Sequence, residues 1–325
     1  MKKLTTIIIA AALALGLCGC QQSGYETGGD GLQIVATSFP GFDFAREIAG
    51  DKANVRLLIP PGSESHSFEP TAQDILRIQS CDLLICNGGE SEVWLEELLE
   101  SMEGEIPTLV MLDCVSALEE ETREGMQVTG EHDHGHDHET EGHDHEEHET
   151  EYDEHVWTSP VNAALICGEL CDRLCQTDGD NGEYYRERLR GYQAQLGELD
   201  AKFRQVVDNA ACRTVIFADR FPVRYFVEEY GLEYYAAFPG CTEDAEPSAR
   251  TVAFLIDRVR QEQTPAVFYI EFSNQKMADI ISEDTGCKTL LFHSCHNVSA
   301  RELDGGVSYL QLMTGNVESL REALG

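Results

Sequence analysis

Histidines and carboxylates alternate along residues 131–160, which read EHDHGHDHETEGHDHEEHETEYDEHVWTSP. Both side-chain types bind transition metals, and imidazole suits zinc in particular. The segment has almost no apolar residues before Val156, so it cannot bury enough surface to fold alone. We therefore predict a solvated loop that gathers zinc weakly. The loop has seven of the eight histidines in this range, which are His132, His134, His136, His138, His143, His145 and His148.

Other histidines stand singly where predicted elements begin or end. His66 lies in PPGSESHSFEP after the second strand, and His155 lies in DEHVWTSP just before a helix. His293 ends the last strand, and His296 follows three residues later. A lone histidine at such a place is usually a hydrogen-bonding loop residue. Several of them beside a metal-gathering tract favour a tetrahedral zinc-type site, because neutral imidazoles are its usual ligands.

The overall charge argues against two classes of binding partner. The formal net charge is −36, which argues against nucleic acid and against anionic membrane surfaces as partners. Much of this charge lies in residues 119–154, and the rest makes a generally acidic surface.

The N-terminus is predicted to direct export. Lys2 and Lys3 precede an apolar run, Leu4–Leu17, that is too short to span a bilayer. The following Leu-Cys-Gly-Cys resembles a bacterial lipobox, with Cys20 as the lipidated residue. We predict a signal peptide at 1–20, a flexible tether at 21–31, and a mature protein held by lipid outside the cytoplasmic membrane.

Short β-branched runs alternate with amphipathic helices through the rest of the chain, which predicts parallel α/β units. The predicted strands are Gln33–Phe39, Asn54–Ile59, Asp82–Cys86, Thr108–Leu112, Thr214–Ala218, Leu232–Phe238, Ala266–Phe272 and Lys288–His293. The predicted helices are Phe42–Ile48, Thr71–Ser80, Val93–Met102, Val161–Cys175, Asn181–Asn209, Pro222–Tyr230, Pro247–Gln263, Asn274–Thr285 and Val307–Leu324.

The long helix divides this pattern into two similar halves. We predict a first α/β lobe at 32–180, which includes a disordered acidic loop at 119–154, a rigid linking helix at 181–210, and a second lobe at 211–325. Ligands of such folds bind beyond the carboxyl ends of the strands. The cleft between the two parallel-sheet lobes is therefore the expected metal site.

Twelve cysteines are many for an exported protein. Cys167, Cys171 and Cys175 recur at helical spacing beside leucines, which favours core packing over a thiolate metal site. Spacing alone fixes no disulfide pairing.

Several stretches resemble the metal-binding receptors of ABC importers, the cluster A-I family. PPGSESHSFEP is similar to the family's P-x-G-x-x-x-H-x-x-E-P stretch, and DEHVWTSP resembles its D-P-H-x-W-x-x-P stretch. CNGGESEVWLEELL is similar to its N-G-x-x-x-E-x-W-L stretch, and FVEEYGL, EPSARTVAFLIDRVR and the C-terminal helix resemble its second half. The resemblance implies two lobes joined by a long helix, with one metal ion between them. The histidine-rich loop resembles that of the zinc-transporting branch.

The resemblance carries His66 and His155 over as the first two ligands. The family's third ligand position holds Arg220, which cannot bind a cation because arginine stays protonated. Asp219 next to it is a substitute ligand, or pairs with Arg220. The fourth position matches His293 or Ser294, depending on register, so we favour His293 and keep His296 in reserve. Glu271 is expected to support the ligands through hydrogen bonds, as is Arg220.

The resemblance implies an extracytoplasmic, monomeric receptor that delivers its ion to a membrane permease. A site rich in histidine favours Zn²⁺ over Mn²⁺ as the transported ligand. Two alternatives stay open. The first is a receptor of the same family for manganese or for a chelated metal, in which Arg220 would recognise the anionic chelator. The second is an extracellular zinc hydrolase. The hydrolase would need a general base such as Glu69, Asp219 or Glu271, and no H-E-x-x-H motif is present.

Overall fold

The computed structural model describes residues 27, 31–63, 68–102, 104–127, 151–240 and 247–325. Eight strands in these residues form two four-stranded parallel sheets, with the orders β2-β1-β3-β4 and β6-β5-β7-β8. The strands are β1 Leu32–Ala36, β2 Ala53–Leu57, β3 Leu83–Cys86, β4 Thr108–Val110, β5 Thr214–Phe221, β6 Glu233–Pro239, β7 Ala266–Tyr269 and β8 Lys288–Leu291. Each predicted strand is present, with shifted ends.

Helices connect the parallel strands in both lobes, as crossover connections require. They are α1 Phe39–Ala49, α2 Ala72–Ser80, α3 Val93–Ser101, α4 Pro160–Thr177, α5 Gly182–Asp208, α6 Arg224–Tyr230, α7 Ala249–Glu262, α8 Lys276–Thr285, α9 Ala300–Asp304 and α10 Tyr309–Leu324. The sequence pattern did not predict α9, which has only five residues and therefore too few turns to show a period.

Local sequence explains several boundaries. The side chain of Ser248 accepts a hydrogen bond from Thr251 N and begins α7 as an N-cap. Thr71 and Asp74 form a capping box at the start of α2. The central strand β3 is buried along its whole length, in keeping with its uninterrupted apolar run and its place between β1 and β4.

Helix α5 is the element against which both lobes pack. Its 27 residues span about 40 Å at about 1.5 Å per residue. It contacts α1 and α4 of the first lobe and α6 and α10 of the second. The buried stripe that makes these contacts is Tyr185, Tyr192, Leu196, Leu199, Phe203 and Val206. One hydrophobic core therefore runs through both lobes. Cys167 and Cys171 of α4 are buried in it, as predicted.

The acidic segment at 119–154, predicted to be disordered, has ordered ends. Glu120 N donates to Glu151 O at 3.0 Å, and Glu119 pairs with Tyr152 in an antiparallel bridge. Gln127 N donates to Ala237 O at 2.8 Å, so the first end reaches the edge strand β6 of the second lobe. These backbone pairs order the ends despite their acidic composition. The tract histidines, the signal peptide with Cys20, and nearly all of the tether lie outside the described residues.

Within the part of the chain that the structure describes, no helix combines the length and apolar character needed to cross a bilayer.

Candidate metal site

The candidate site is a small cleft between the lobes, at the carboxyl ends of the strands. The first lobe contributes Ser38, Ile59, Ser63 and His155 to its lining. The second lobe contributes Arg220, Pro222, Gly240, Ile270, Glu271, Phe272, Ser294, His296 and Asn297. The free volume is about 40 Å³, and a water needs about 10–15 Å³ on this scale. The cleft therefore has room for an ion with a few waters.

His155 is held in the geometry of a metal ligand. It is 2% exposed, and Asp153 Oδ1 lies 3.2 Å from its Nδ1 and accepts from its backbone N at 2.8 Å. A proton on Nδ1 would be donated to Asp153, which leaves the lone pair of Nε2 available to a metal. Ligating histidines usually have such a carboxylate on the other nitrogen.

Two opposing effects act on the pKa of His155. Burial lowers it, because the imidazolium loses its hydration. The carboxylates of Asp153, Glu154 and Glu120 raise it, and the net result is a pKa above the ordinary value. A proton on His155 therefore competes with a metal ion more strongly than a proton on an ordinary histidine does.

His296 lies beside His155 across the interface between the lobes. The two ring centroids are 5.4 Å apart, and each ring packs edge-on or tilted against Trp157 at 5.5 and 5.3 Å. Trp157 is fixed in turn, since its Nε1 donates to Ser294 O at 2.8 Å. Phe39 N donates to the His296 carbonyl at 3.3 Å. The structure thus brings one imidazole from each lobe together.

His293, favoured from the sequence, does not line the cleft. Its Nδ1 accepts from Cys295 N at 3.0 Å and lies 3.6 Å from Glu271 Oε1. Its backbone exchanges two hydrogen bonds with Asn316 of α10. Its Nε2 is buried and has no hydrogen-bond partner among the described residues. The geometry therefore favours His296, the reserve candidate.

The turn after β8 explains why the structure favours His296 over His293. Cys295 has a φ of 62° and a fully buried side chain, so the backbone reverses between Ser294 and His296. This left-handed conformation is uncommon for a residue with a side chain. It lets both neighbours of Cys295 line the cleft, while His293 is turned toward α10.

Glu271 supports this turn through Ser294. Its Oε2 accepts from Ser294 N at 2.7 Å, and its Oε1 accepts from the Ser294 hydroxyl. Both oxygens are therefore engaged with Ser294 while the residue lines the cleft. Its role in the structure is to fix the segment that carries His296.

Asp219 and Arg220 lie within β5, which is longer than predicted because its pairing with β6 continues after an irregularity between Phe217 and Arg220. Asp219 accepts from Arg220 N at 2.8 Å and from Ile270 N at 3.3 Å. Burial raises the pKa of its carboxyl, although these hydrogen bonds oppose the shift. Asp219 lines a neighbouring cavity instead of the cleft, whereas Arg220 lines both.

His66 belongs to residues 64–67, outside the described residues. The chain enters this segment at Ser63, which lines the cleft. Asn297 Nδ2 donates to the carbonyls of Pro60 and Ser63 at 3.0 and 2.8 Å, so the second lobe holds the start of the loop. Among the described residues no group of three histidines, cysteines or carboxylates could hold a metal ion.

A buried polar network lies behind His155, and the sequence analysis did not assign its roles. Glu154 accepts from Ser91 N at 2.6 Å and from the Ser91 hydroxyl. Glu92 accepts from Gly88 N at 2.9 Å, and burial raises the pKa of its carboxyl to about 7. Gly89 packs against the Glu154 side chain. The stretch NGGESE (87–92) therefore positions His155 through the residue before it.

Comparison with known proteins places this chain in a family. Residues 34–323 match the family model described as ZnuA, zinc-uptake complex component A, periplasmic. The high-affinity zinc uptake system protein ZnuA of Bacillus subtilis is 31% identical over 331 residues, covering 99% of this chain and 98% of the relative. The zinc-binding lipoprotein AdcA of Streptococcus pneumoniae is 29% identical over 326 residues. The match covers 99% of this chain and 61% of AdcA.

Solved structures agree with the predicted architecture. The zinc-bound ZnuA-like domain of Streptococcus pneumoniae AdcA has a TM-score of 0.72 and 26% identity, covering 90% of this chain and 99% of that domain. The metal-dependent lipoprotein YcdH of Bacillus subtilis has a TM-score of 0.73 and 28% identity, with the same coverage. The prediction of two parallel-sheet lobes joined by a long helix is confirmed. The chain belongs to the ZnuA family of periplasmic zinc-uptake components.

Proposed function

We propose that this protein is an extracytoplasmic receptor that captures zinc with high affinity and delivers it to the permease of an ABC importer. The zinc uptake and zinc binding named for its relatives support this function. The observation that carries it is the pair His155 and His296. One imidazole comes from each lobe, and a carboxylate orients the first so that Nε2 is available to a metal.

The proposed ligands are His66, His155 and His296. Ser63, which lines the cleft, is three residues before His66, and three imidazoles are a donor set suited to zinc rather than manganese. Glu271 holds the turn that presents His296 and does not itself bind the ion. His293 and Asp219, which were also candidates, make structural hydrogen bonds outside the cleft.

Capture needs no covalent chemistry. Zinc competes with a proton for His155 and joins the two lobes at the cleft. Only loops have to adjust there, because the lobes share one core. The permease then draws the ion from a site held by a few loop residues. We assign no catalysis to this cleft. Of the three candidate general bases, Glu69 and Asp219 do not line the cleft, and Glu271 accepts two hydrogen bonds from Ser294.

Competition titration against a fluorescent zinc chelator tests the ligand set. We expect His66→Ala, His155→Ala and His296→Asn to weaken zinc binding by more than the roughly 10–100-fold typical of losing a group that only supports a ligand. His293→Asn is the matched control, because asparagine retains an acceptor for Cys295 N. It should bind zinc within about tenfold of wild type. Loss of binding in His293→Asn with retention in His296→Asn would contradict the assignment.

We further propose that the chain is a monomeric lipoprotein anchored through Cys20, and that the histidine tract gathers zinc as a low-affinity loop. The lipobox-like Leu-Cys-Gly-Cys supports the anchor, and a relative is named a lipoprotein. Metabolic labelling with palmitate should be lost in Cys20→Ala and kept in Cys18→Ala.

A further inference from the structure

Residues 153–157, which we call the His155 segment, are buried although they lie between regular elements. None of the strands and helices in the described chain includes residues 153–155, and only one turn of 3-10 helix, Val156–Thr158, follows before α4 begins. The exposed fractions of Asp153, His155 and Trp157 are nevertheless 1%, 2% and 0%. A proposed ligand in such a segment takes its position from the side chains that surround it.

A tyrosine of the second lobe holds the first end of this segment. Tyr225 of α6 donates its hydroxyl to the Asp153 carbonyl at 2.9 Å and accepts from Leu118 N at 3.0 Å. Asp153 N donates in turn to Leu118 O at 2.9 Å. Tyr225 and Asp153 are both buried, and removing one partner of a buried hydrogen bond leaves the other unsatisfied. The hydroxyl thus fixes the main chain at the residue whose carboxylate orients the His155 imidazole.

A second tyrosine of the same lobe holds the other end. Tyr309, the first residue of α10, donates its hydroxyl to the Trp157 carbonyl at 2.7 Å. Its backbone N donates to Oδ2 of Asp43 at 2.7 Å, and Arg46 forms an ion pair with Asp43 at 2.6 Å. Asp43 and Arg46 belong to α1 of the first lobe, and both Tyr309 and Asp43 are fully buried. Tyr309 is therefore itself held at a fixed place between the lobes.

Trp157 connects the second tyrosine to both imidazoles at the cleft. The centroid of its ring is 5.5 Å from that of His155 and 5.3 Å from that of His296. Its Nε1 donates to the carbonyl of Ser294, a residue of the second lobe, at 2.8 Å. A shift of the Trp157 main chain would therefore move the surface against which both rings pack.

The two hydroxyls hold the segment from the lobe to which it does not belong in sequence. The segment directly precedes α4 of the first lobe, whereas α6 and α10 belong to the second lobe. Neither Tyr225 nor Tyr309 lines the cleft, so neither is placed to bind an ion there. A binding group that is already held in its bound orientation loses less conformational freedom when the ligand enters, and it therefore binds more tightly.

We propose that Tyr225 and Tyr309 are positioning residues of the zinc site. They hold the main chain of the His155 segment at both ends, so that the His155 imidazole meets the ion in one orientation beside that of His296. The second lobe thereby positions both imidazoles of the cleft. This proposal rests on the proposed zinc-receptor function.

Tyr225→Phe and Tyr309→Phe test the proposal, because each removes one hydroxyl and keeps the ring. In competition titrations of the full-length chain, we expect each variant to bind zinc about 10–100-fold more weakly, the range for a group that supports a ligand. Tyr230→Phe is the matched control. Tyr230 is a buried residue of the same helix as Tyr225, and its hydroxyl donates to Asp200 of α5 at 3.1 Å instead of to the His155 segment. This variant should lower the urea midpoint, as the other two do, but leave zinc affinity unchanged.

Cobalt(II) bound in place of zinc separates positioning from stability alone, because its visible absorption depends on the coordination geometry. We expect a changed cobalt spectrum in Tyr225→Phe and Tyr309→Phe and the wild-type spectrum in Tyr230→Phe. Wild-type zinc affinity and an unchanged spectrum in the first two variants would overturn the proposal, as would an equal loss of affinity in Tyr230→Phe. Failure of the wild type to bind zinc would instead overturn the receptor function.

Discussion

At the scale of single residues, the contact that matters most is the one between Asp153 and His155. The carboxylate selects the tautomer that leaves Nε2 available, and it raises the pKa of the imidazole against the effect of burial. The same contact therefore orients the proposed ligand and makes a proton on it a stronger competitor of zinc. From the sequence alone, affinity is expected to fall below about pH 6. The raised pKa moves the onset of this fall above the ordinary value of about 6.5.

Asp153→Asn separates these two effects. We expect zinc binding at pH 8 to weaken by about 10–100-fold, because the ligand loses its ionised partner. The variant should lose further affinity only at lower pH than wild type, since burial without the carboxylate lowers the pKa of His155. The difference in zinc affinity between wild type and Asp153→Asn should therefore become smaller as the pH falls from 8 to 6.

Competition titrations at pH 8, 7 and 6 measure this difference. His293→Asn is the control, and it should keep the pH profile of wild type. Parallel affinity curves for wild type and Asp153→Asn would show that the pKa of His155 does not govern the pH dependence.

The structure places His155, a ligand predicted from the sequence, in the lining of the cleft. The sequence did not separate His293 from His296. That choice depends on the turn at Cys295, whose φ of 62° is not signalled by a glycine or asparagine. A chain passing straight through this position would have favoured His293. Likewise, Asp219 is a reasonable ligand by sequence, and only the pairing of β5 with its neighbours shows that its carboxylate binds backbone amides.

At the scale of elements, strands and helices were predictable because buried parallel strands and amphipathic helices leave clear patterns in sequence. Strand β5 continues to Phe221 because its pairing with β6 resumes after an irregularity, which no local pattern reveals. The sequence analysis also gave no structural role to the turn between β3 and α3. There, Gly88 and Gly89 have φ values of 79° and 92° and allow Glu154 to pack closely.

Gly89→Ala should weaken zinc binding although Gly89 does not line the cleft. An added Cβ would lie 2.7 Å from Cγ of Glu154, and the backbone conformation at φ 92° disfavours any side chain. We expect the free energy of unfolding to fall by about 2–4 kcal/mol and zinc binding to weaken, because Glu154 precedes His155. Urea unfolding and zinc titration of the same sample measure both effects.

Gly315→Ala is the matched control for this substitution. Gly315 is an exposed residue of helix α10 with open space around its Cβ position, so alanine should stabilise the protein by about 0.5–1 kcal/mol. Gly89→Ala with unchanged stability and unchanged zinc affinity would refute the supporting role of this turn.

At the scale of the whole molecule, the tract and the cleft are separate parts of the chain. The described residues on either side of the tract are fixed, Gln127 on the edge of the second lobe and Glu151 beside Glu120. Glu151 is four residues before His155, so the tract ends close in sequence to a residue that lines the cleft. The cleft itself includes His155 and His296, which do not belong to the tract.

Replacing all seven tract histidines by asparagine tests this separation while keeping the length of the loop. We expect the variant to retain one tightly bound zinc and to lose only additional, weakly bound ions. Isothermal titration with zinc, followed by competition with a strong chelator, measures both classes. Disappearance of the tight class would place the main site in the tract and contradict the assignment to the cleft.

The shared core has a consequence for transport kinetics. Because α5 and the core hold both lobes together, zinc can change the outer surface only around the loops at the cleft. Empty and loaded receptors should therefore present nearly the same docking face, and the empty form should inhibit uptake by occupying the permease. This can be measured with reconstituted permease and a fixed amount of zinc. The uptake rate should rise and then fall as receptor is added. A plateau without a fall would show that the permease binds the loaded receptor in preference to the empty one.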